Sequence, residues 1–185
     1  MSTSLRFIIR DGLEGDVAGC MALDHAYETE HVWQVFIERE ETFFHQINFQ
    51  TERLPRMLEV TYPADERRIR LALPEAHGFL VAVTQDSNEL LGYLTLRNDP
   101  SLHNVMIHDI VVNRPYRRNR IGSRLMHIAR RWAREREAER LIVALHTKNY
   151  PGILFCQASG LVFCGYNERH FNNQDMALFF GQTLR

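Results

Sequence analysis

Residues 109–123 read DIVVNRPYRRNRIGS, and this stretch decides the predicted fold. An apolar strand at 105–112 runs into an arginine-rich loop, and a helix follows from Ile121. Free backbone N–H groups and the helix dipole attract anions to such a helix start, and Gly122 lets a ligand approach the backbone closely. Three loop arginines add charge and bidentate phosphate contacts, namely Arg117, Arg118 and Arg120. The spacing therefore predicts a ligand that carries a diphosphate.

Two other interpretations of this stretch stay open. A solvated loop followed by a basic helix face would have the same composition, and the phosphate-loop patterns GxxxxGK[ST] and GxGxxG are absent. A module that binds RNA or DNA through residues 114–140 is the second interpretation. Such a module needs aromatic side chains for base stacking, but the segment has only Tyr116 and Trp132, and Trp132 lies on the predicted apolar face. We therefore expect no nucleic-acid partner.

Turn signals and hydrophobic periodicity predict further strands. The runs 79–83 and 90–96 flank a turn signal at 86–88 and are typical of a hairpin. Other short apolar runs are strand candidates, at 7–9, 57–62, 141–145, 161–164 and 176–180.

Three helices complete the prediction. One begins after Asp16, one from Ile121 has an apolar face and an arginine face, and one is capped by Asn149. Residues 25–56 are rich in aromatic and acidic side chains and favour helix or irregular structure. Together these elements predict a single domain of the α/β (α+β) class over residues 1–185. Its central sheet is mixed, mostly antiparallel and has about six to seven strands, with helices on both faces.

Charge is segregated along this chain. Its 185 residues carry 22 basic and 23 acidic side chains, a net charge of -1, and 45% of the residues are hydrophobic, as in an ordinary globular protein. Residues 114–140 hold ten Arg and three Glu, whereas residues 1–66 hold 13 acids and five Arg. The near-neutral total argues against nonspecific coating of nucleic acids, and the basic segment still needs a reason.

The predicted compartment is the cytoplasm. Residues 1–10 lack an apolar stretch typical of a signal peptide, and no run approaches the ~18 apolar residues of a membrane span, so we expect no membrane partner. The three cysteines are an odd number without CxxC spacing. A disulfide framework, a zinc site or any other metal site is therefore not expected.

The loop at the start of the central helix resembles motif A of the GNAT superfamily of N-acetyltransferases. That motif reads roughly [QR]-x-x-G-x-[GA] after a strand that ends in an apolar–Val pair. Arg117 and Gly122 match its first and last positions, and Arg120 stands where the middle Gly usually lies. The replacement of this Gly by Arg120 affects how closely the loop would wrap around a diphosphate, and not whether the loop would bind it.

A second family pattern, N-x-x-A-x-x-x-Y-x-x-x-G-F, matches downstream. It has Gly for Ala and Leu for Phe, and the matching positions are Asn149, Gly152, Gly160 and Leu161. The resemblance covers about residues 6–180 and is weak over 25–75. Among subgroups, the chain is similar to streptothricin acetyltransferase-like members.

The resemblance implies acetyl-CoA as the donor. Pantetheine would pair like an extra strand with the backbone of Ile110, Val111 and Val112, and Asn149 and Phe155 complete the expected binding set. The acetyl carbonyl would lie near a backbone N–H of that strand, which stabilises the developing oxyanion. The diphosphate would lie on the amides of Arg117, Arg118, Asn119, Arg120, Ile121, Gly122 and Ser123.

Attack on a thioester requires a neutral amine, so a base must take a proton from the ammonium form. Family members often place this base on the strand before motif A, where this chain has His108 and Asp109. Because neighbours on a strand face opposite ways, we expect only one of them to face the acyl group directly. His108 is the first candidate, since the ordinary pKa of imidazole is near about 6.5. Asp109, acting through water, is the second candidate. The alternative is that one of these two residues is simply a polar residue of the sheet.

The family's usual acid is a Tyr, and Cys156 occupies its position here. A thiol could protonate the departing thiolate, although a small buried Cys is commonly a packing residue. Tyr150, Tyr166 and bulk water are the alternative proton donors. We list Cys156 with His108 and Asp109 as the candidate catalytic residues.

In this family the segment after the first strand helps to form the acceptor groove. Here it carries Asp24, Tyr27, Glu28, Glu30 and Trp33. Carboxylates beside aromatic rings suit a cationic amine through charge and cation–π contacts, so three of them, Tyr27, Glu28 and Trp33, are the predicted substrate-binding residues. The alternative for any one of them is a solvated amphipathic helix face.

The resemblance implies direct acetyl transfer from acetyl-CoA to a primary amine of a small-molecule or peptide acceptor. The alternative is a non-catalytic sensor that binds acyl-CoA with a degenerate active site, which the cysteine at position 156 favours. The sequence leaves the oligomeric state open, with a homodimer as one option.

Overall fold

The computed structural model describes residues 5–40, 44–171 and 175–184. Within them the chain forms nine strands and four helices. The strands are β1 (Phe7–Asp11), β2 (Ala26–Glu40), β3 (Phe44–Thr61), β4 (Gly78–Thr84), β5 (Leu90–Asp99), β6 (Asn104–Val112), β7 (Arg140–His146), β8 (Val162–Asn167) and β9 (Ala177–Thr183). The helices are α1 (Val17–Met21), α2 (Glu66–Leu71), α3 (Ile121–Arg134) and α4 (Tyr150–Ala158).

Seven of these strands form one sheet in the order β1-β4-β5-β6-β7-β9-β8. The pair β6–β7 is parallel and the other five neighbouring pairs are antiparallel. Parallel neighbours need a crossover, and α3 supplies it between β6 and β7. The predicted mixed, mostly antiparallel sheet is therefore confirmed.

Helices cover both faces of the sheet, as predicted. The amphipathic α3 and α4 pack on one face, where Leu125, Ala129 and Ile153 join the larger hydrophobic core. On the other face, Val17 of α1 and Ile69 of α2 belong to a second core. The central sheet is thus buried on both sides, which explains why β4 and β5 consist of almost continuous apolar residues.

The prediction of helix or irregular structure over residues 25–56 is wrong. Apart from 41–43, which lie outside the described residues, this segment belongs to a long antiparallel hairpin in which β2 pairs with β3 from Ala26↔Thr61 to Glu40↔Phe44. Charged and polar residues occur on both faces of this hairpin, so no apolar period of two marks its strands. The strand predicted at 57–62 is the end of β3.

The short helix α2 has no counterpart in the sequence prediction. The Asp65 side chain caps it by accepting a hydrogen bond from the Arg67 N–H at 2.9 Å. Six residues are too few to establish a helical period. Among the described residues, none of the helices combines the length and the apolar character needed to cross a bilayer.

Candidate active site

A β-bulge at His108 organises the centre of the sheet. On strand β6, Asp109 pairs with Thr95 and Ile107 pairs with Leu96, so that His108 is the extra residue. An extra residue reverses the alternation of side chains along the strand. Ile107 accordingly packs in the α3 core, whereas Val111 packs in the α1–α2 core.

The same bulge places His108 and Asp109 on one side of the sheet. Arg68 of α2 contacts the Asp109 carboxylate at 3.1 Å and also lines a pocket with His108. The expectation that the two neighbours face opposite ways is therefore wrong, whereas the prediction that only one of them faces the acyl group directly stays a prediction. Strict alternation holds for a regular strand, and the bulge suspends it here.

Strands β6 and β7 separate just beyond the bulge. Their parallel pairing runs from Asn104↔Arg140 to Ile107↔Val143 and ends there. Strand β6 continues against β5 to Val112, and β7 continues against β9 to His146. The separation leaves one edge of Ile110–Val112 without a partner strand in the described part of the chain, and such an edge can pair with an extended ligand.

The start of α3 has the geometry of an anion site. Arg118 and Arg120 are left-handed, with φ of 67° and 63°, and Arg120 makes no side-chain cap to the helix. A turn of this kind directs successive backbone N–H groups into a concavity that favours anions. The N–H groups of the first turn, at Ile121, Gly122 and Ser123, have no carbonyl partners within the helix.

Arg117 differs from its loop neighbours because its guanidinium is turned inward. Its Nε donates to the Val112 carbonyl at 3.0 Å, and an Nη donates to the Asp24 carbonyl at 3.1 Å. Arg118 and Arg120 are exposed. Arg117 therefore stabilises the loop, whereas the exposed side chains of Arg118 and Arg120 are free to contact a phosphate group.

Phe155 and Asn149 of the second motif lie beside this loop. A Cβ on Gly122 would lie 3.3 Å from the Phe155 ring, so the glycine allows α3 and α4 to approach closely. The predicted Asn149 cap is confirmed, because its Oδ1 accepts from the Gly152 N–H at 2.9 Å. A Cβ at position 152 would lie 2.7 Å from the Asn149 side chain, so Gly152 lets this side chain lie directly against the first turn of α4.

Asp109 is the centre of a buried polar network. Its Oδ1 accepts from the Tyr62 hydroxyl at 2.8 Å, and its Oδ2 accepts from the Thr95 hydroxyl at 2.8 Å. Arg68 supplies the ion pair at 3.1 Å, and the carboxylate is almost wholly buried. Burial, aided by the Asp109 charge, raises the pKa of Tyr62, so the phenol keeps its proton and remains a donor.

The sequence prediction missed Tyr62 and Arg68. Tyr62 directly precedes Pro63, where the predicted strand ends, and Arg68 lies five residues after it, and neither belongs to a recognisable motif. Their role depends on how the hairpin and α2 fold back on β6. A tyrosine directly before a proline at the end of a strand was the only local signal.

His108 lines an open pocket next to this network. The pocket has a volume of about 140 Å³ and is bounded by α2, β5 and the bulge of β6. Burial lowers the pKa of the His108 imidazole from its ordinary value, and the neighbouring Asp109 carboxylate acts in the opposite direction. The imidazole is therefore neutral at neutral pH and can accept a proton.

Cys156 lies in the hydrophobic core rather than on a surface that a ligand could reach. Only 1% of the residue is exposed, and burial raises the pKa of its thiol to about 12. Tyr150 lies at the start of α4 with its ring 5.3 Å from that of His31, and Tyr166 packs against the larger core. The surroundings of Cys156 favour packing over proton transfer.

The predicted acceptor residues lie on β2 and are bound to other parts of the chain. Glu28 pairs with Arg114, which also contacts Glu59 at 2.8 Å and Asp24 at 3.9 Å. Burial raises the pKa of the Tyr27 phenol to about 12. Arg114 thus joins the basic loop to the acidic hairpin, and the two opposite charges of the sequence meet there.

Trp33 anchors the hairpin to the sheet. Its backbone N–H donates to the Thr147 carbonyl at 3.0 Å, and its ring lies 5.7 Å from both Phe49 and Phe180. Phe163 completes the cluster at 6.3 Å. These contacts give Trp33 a packing role, and its part in substrate binding stays a prediction.

This sequence and this fold are similar to those of known acetyltransferases. The model of the acetyltransferase (GNAT) family matches residues 46–160. Among curated protein sequences, no match was found. The fold is similar to that of nourseothricin acetyltransferase, with a TM-score of 0.84, 21% identity, and coverage of 99% of this chain and 100% of that chain.

Two further structures share the fold. A Bacillus anthracis protein described as a candidate streptothricin acetyltransferase, in complex with acetyl coenzyme A, has a TM-score of 0.79 and 18% identity and covers 97% of this chain and 99% of its own. The ribosomal-protein-S18-alanine N-acetyltransferase of Escherichia coli has a TM-score of 0.66 and 12% identity, with coverage of 96% and 94%. The family model spans more than half of the residues and includes the bulged strand, the anion loop and most of the Asn149 motif. The chain therefore belongs to the acetyltransferase (GNAT) family.

Proposed function

We propose that this protein is an N-acetyltransferase that transfers an acetyl group directly to a primary amine. Acetyl-CoA is the donor. The observation that carries the proposal is the bulge of β6, where a neutral imidazole, His108, lies beside the point at which β6 and β7 separate. A base and a slot for an extended ligand thus occur together.

Three features of the chain support acetyl-CoA binding. The open edge of Ile110–Val112 suits the amide groups of pantetheine, and the left-handed loop before α3 suits the diphosphate. The Asn149 oxygen is used by the helix cap, which leaves its amide N–H groups as the donors for the pantetheine arm. The bound thioester supplies an electrophilic carbonyl carbon.

His108 acts as the general base in this proposal. The imidazole takes a proton from the acceptor ammonium, and the resulting amine nitrogen forms the new bond to carbon while the carbon–sulfur bond breaks. A backbone N–H of β6 stabilises the developing oxyanion. His108 passes this first proton to solvent. The nitrogen loses a second proton as the carbon–sulfur bond breaks, and water carries that proton to the departing thiolate.

Cys156 supports direct transfer rather than an acyl-enzyme. A nucleophilic cysteine needs a thiolate, and burial raises the pKa of this thiol to about 12. The same burial argues against Cys156 as the acid. The roles predicted for Tyr27, Glu28 and Trp33 in acceptor binding stay predictions.

The non-catalytic sensor is the second candidate, because the family's Tyr position holds a buried Cys. Isothermal titration with acetyl-CoA, combined with a thiol-release assay over a panel of amines and amino acids, separates the two. We expect binding together with release of CoA thiol and a mass gain of one acetyl group on the acceptor. Tight binding of acetyl-CoA with no turnover on any of the amines would contradict the proposed enzymatic activity and support the sensor.

A further inference from the structure

The pocket beside His108 has a polar wall made largely of hydrogen-bond donors and cations. Its polar lining residues are Arg68, His77, Thr95, Arg97 and His108, and its apolar ones are Leu71, Ala72 and Leu96. Two carboxylates lie near them in the described part of the chain, and one of these, Asp109, already binds Tyr62, Thr95 and Arg68. The other, Asp99, interacts with the exposed Arg97 through charge alone, so the lining keeps an excess of cations and hydrogen-bond donors.

Arg97 is the source of that charge. Within the described part of the chain, no hydrogen bond or ion pair engages its guanidinium. The nearby Asp99 carboxylate is bound instead by the N–H and hydroxyl of Ser101, at 3.1 and 2.5 Å. Arg97 thus differs from Arg68, which is held by Asp109 and by the Pro63 carbonyl at 2.7 Å.

His77 adds a hydrogen-bond donor, its Nε2–H, because a backbone N–H occupies the other ring nitrogen. Its Nδ1 accepts from the Asn98 N–H at 3.3 Å. A neutral ring that accepts at Nδ1 carries its proton on Nε2, so the other ring nitrogen is a donor. An anion with several lone pairs satisfies Arg97 and His77, and the neutral His108 imidazole is left to accept from an ammonium group of the same ligand.

We propose that this pocket binds the carboxylate of the acceptor, so that the substrate is a small amine with a carboxylate on the same or a neighbouring carbon. This inference rests on the proposed acetyl transfer and names its acceptor class. With the carboxylate at Arg97 and His77, the amine two bonds away lies towards the His108 imidazole. Leu71, Ala72 and Leu96 cover the intervening carbon atoms.

The size of the pocket agrees with such a ligand. Its volume of about 140 Å³ is close to that of a protein cavity of about 150 Å³ that holds a six-atom ring. An amino acid head group with a short side chain fits this space. Polyamines and the amino termini of peptides lack a carboxylate beside the reactive amine and offer Arg97 no hydrogen-bond acceptor.

The test compares the L-amino acids with the corresponding L-amino acid amides, using the full chain. Thiol release gives kcat and KM, and titration of each compound into the protein saturated with CoA gives binding without turnover. We expect kcat/KM for the best free amino acid to exceed that for its amide by about tenfold or more, as one charge-assisted contact provides. Arg97→Gln should remove this preference by raising KM for the free amino acid.

Arg67→Gln is the matched control, because Arg67 is exposed on α2 and does not line the pocket. It should keep the wild-type preference. Amides that react as well as free amino acids, or a preference that survives Arg97→Gln, would overturn the inference while leaving the acetyltransferase intact. Binding of free amino acids that depends on Arg97 but gives no acetylation would instead contradict the proposed function and support the pocket.

Discussion

His108 and Asp109 are consecutive residues on the same side of the sheet, but their surroundings are opposite. The His108 ring lines an open pocket, whereas the Asp109 carboxylate is held by Tyr62, Thr95 and Arg68. A side chain that exchanges protons with a substrate, as proposed for His108, must be accessible to that substrate. A carboxylate that links a strand, a helix and the end of a hairpin, as Asp109 does, is most effective when it is buried. The bulge therefore puts the proposed base and a buried structural carboxylate side by side on one face of the sheet.

The largest expected effect comes from His108→Gln. Glutamine keeps much of the size of the side chain but cannot take a proton, so kcat should fall by about 10²–10⁴-fold. Isothermal titration should give an acetyl-CoA affinity close to that of the wild type. His127→Gln, at an exposed position on α3, is the control and should leave kcat unchanged. Wild-type turnover in His108→Gln would remove this residue from the mechanism.

Asp109→Ala tests the opposite property. Loss of the buried carboxylate leaves Tyr62, Thr95 and Arg68 without their partner, and the free energy of unfolding should drop by about 3 kcal/mol. Urea denaturation measures the change. Asp109→Asn keeps an oxygen acceptor and should lie between the wild type and Asp109→Ala. A stability equal to that of the wild type in both variants would show that the network does not hold the site together.

Tyr62→Phe sharpens the same comparison with a smaller change. It removes one donor to the carboxylate without opening a cavity, and a hydrogen bond to a charged group is worth about 1.5 kcal/mol. Tyr116→Phe is the matched control, since the Tyr116 hydroxyl contacts an exposed carboxylate, Glu89, at 2.5 Å. Its urea midpoint should stay unchanged. Equal effects of the two substitutions would contradict a special role for Tyr62.

Sequence patterns predict the stretch from β6 through α4 well, and the reason is local. Strand β6, its loop and α3 are adjacent in the chain, and the change of period from two to 3.6 marks their boundary. The Asn149 cap is likewise decided by residues three positions apart. Each of these elements has its signal within one short window.

The β2–β3 hairpin and the surroundings of His108 and Asp109 could not be predicted in the same way. The hairpin of β2 and β3 has polar residues on both faces. Two aromatic partners of Trp33, namely Phe163 and Phe180, lie on strands more than a hundred residues away. The bulge arises from pairing with Thr95 and Leu96, so the sequence around His108 alone does not reveal it. The polar network around Asp109 depends on the same long-range contacts.

The pH dependence of kcat/KM tests most directly whether His108 is the base. This profile reports the ionisation of essential groups in the free enzyme. Because burial lowers the pKa of His108, the rate should hold its plateau at neutral pH and fall only as the pH drops through a value below about 6.5.

The same acceptor should be used for the wild type and for His108→Gln, so that the ionisation of the amine is common to both. We predict that the acidic limb is present in the wild type and absent in His108→Gln. An acidic limb of the same pKa in both proteins would contradict the assignment of His108 as the base.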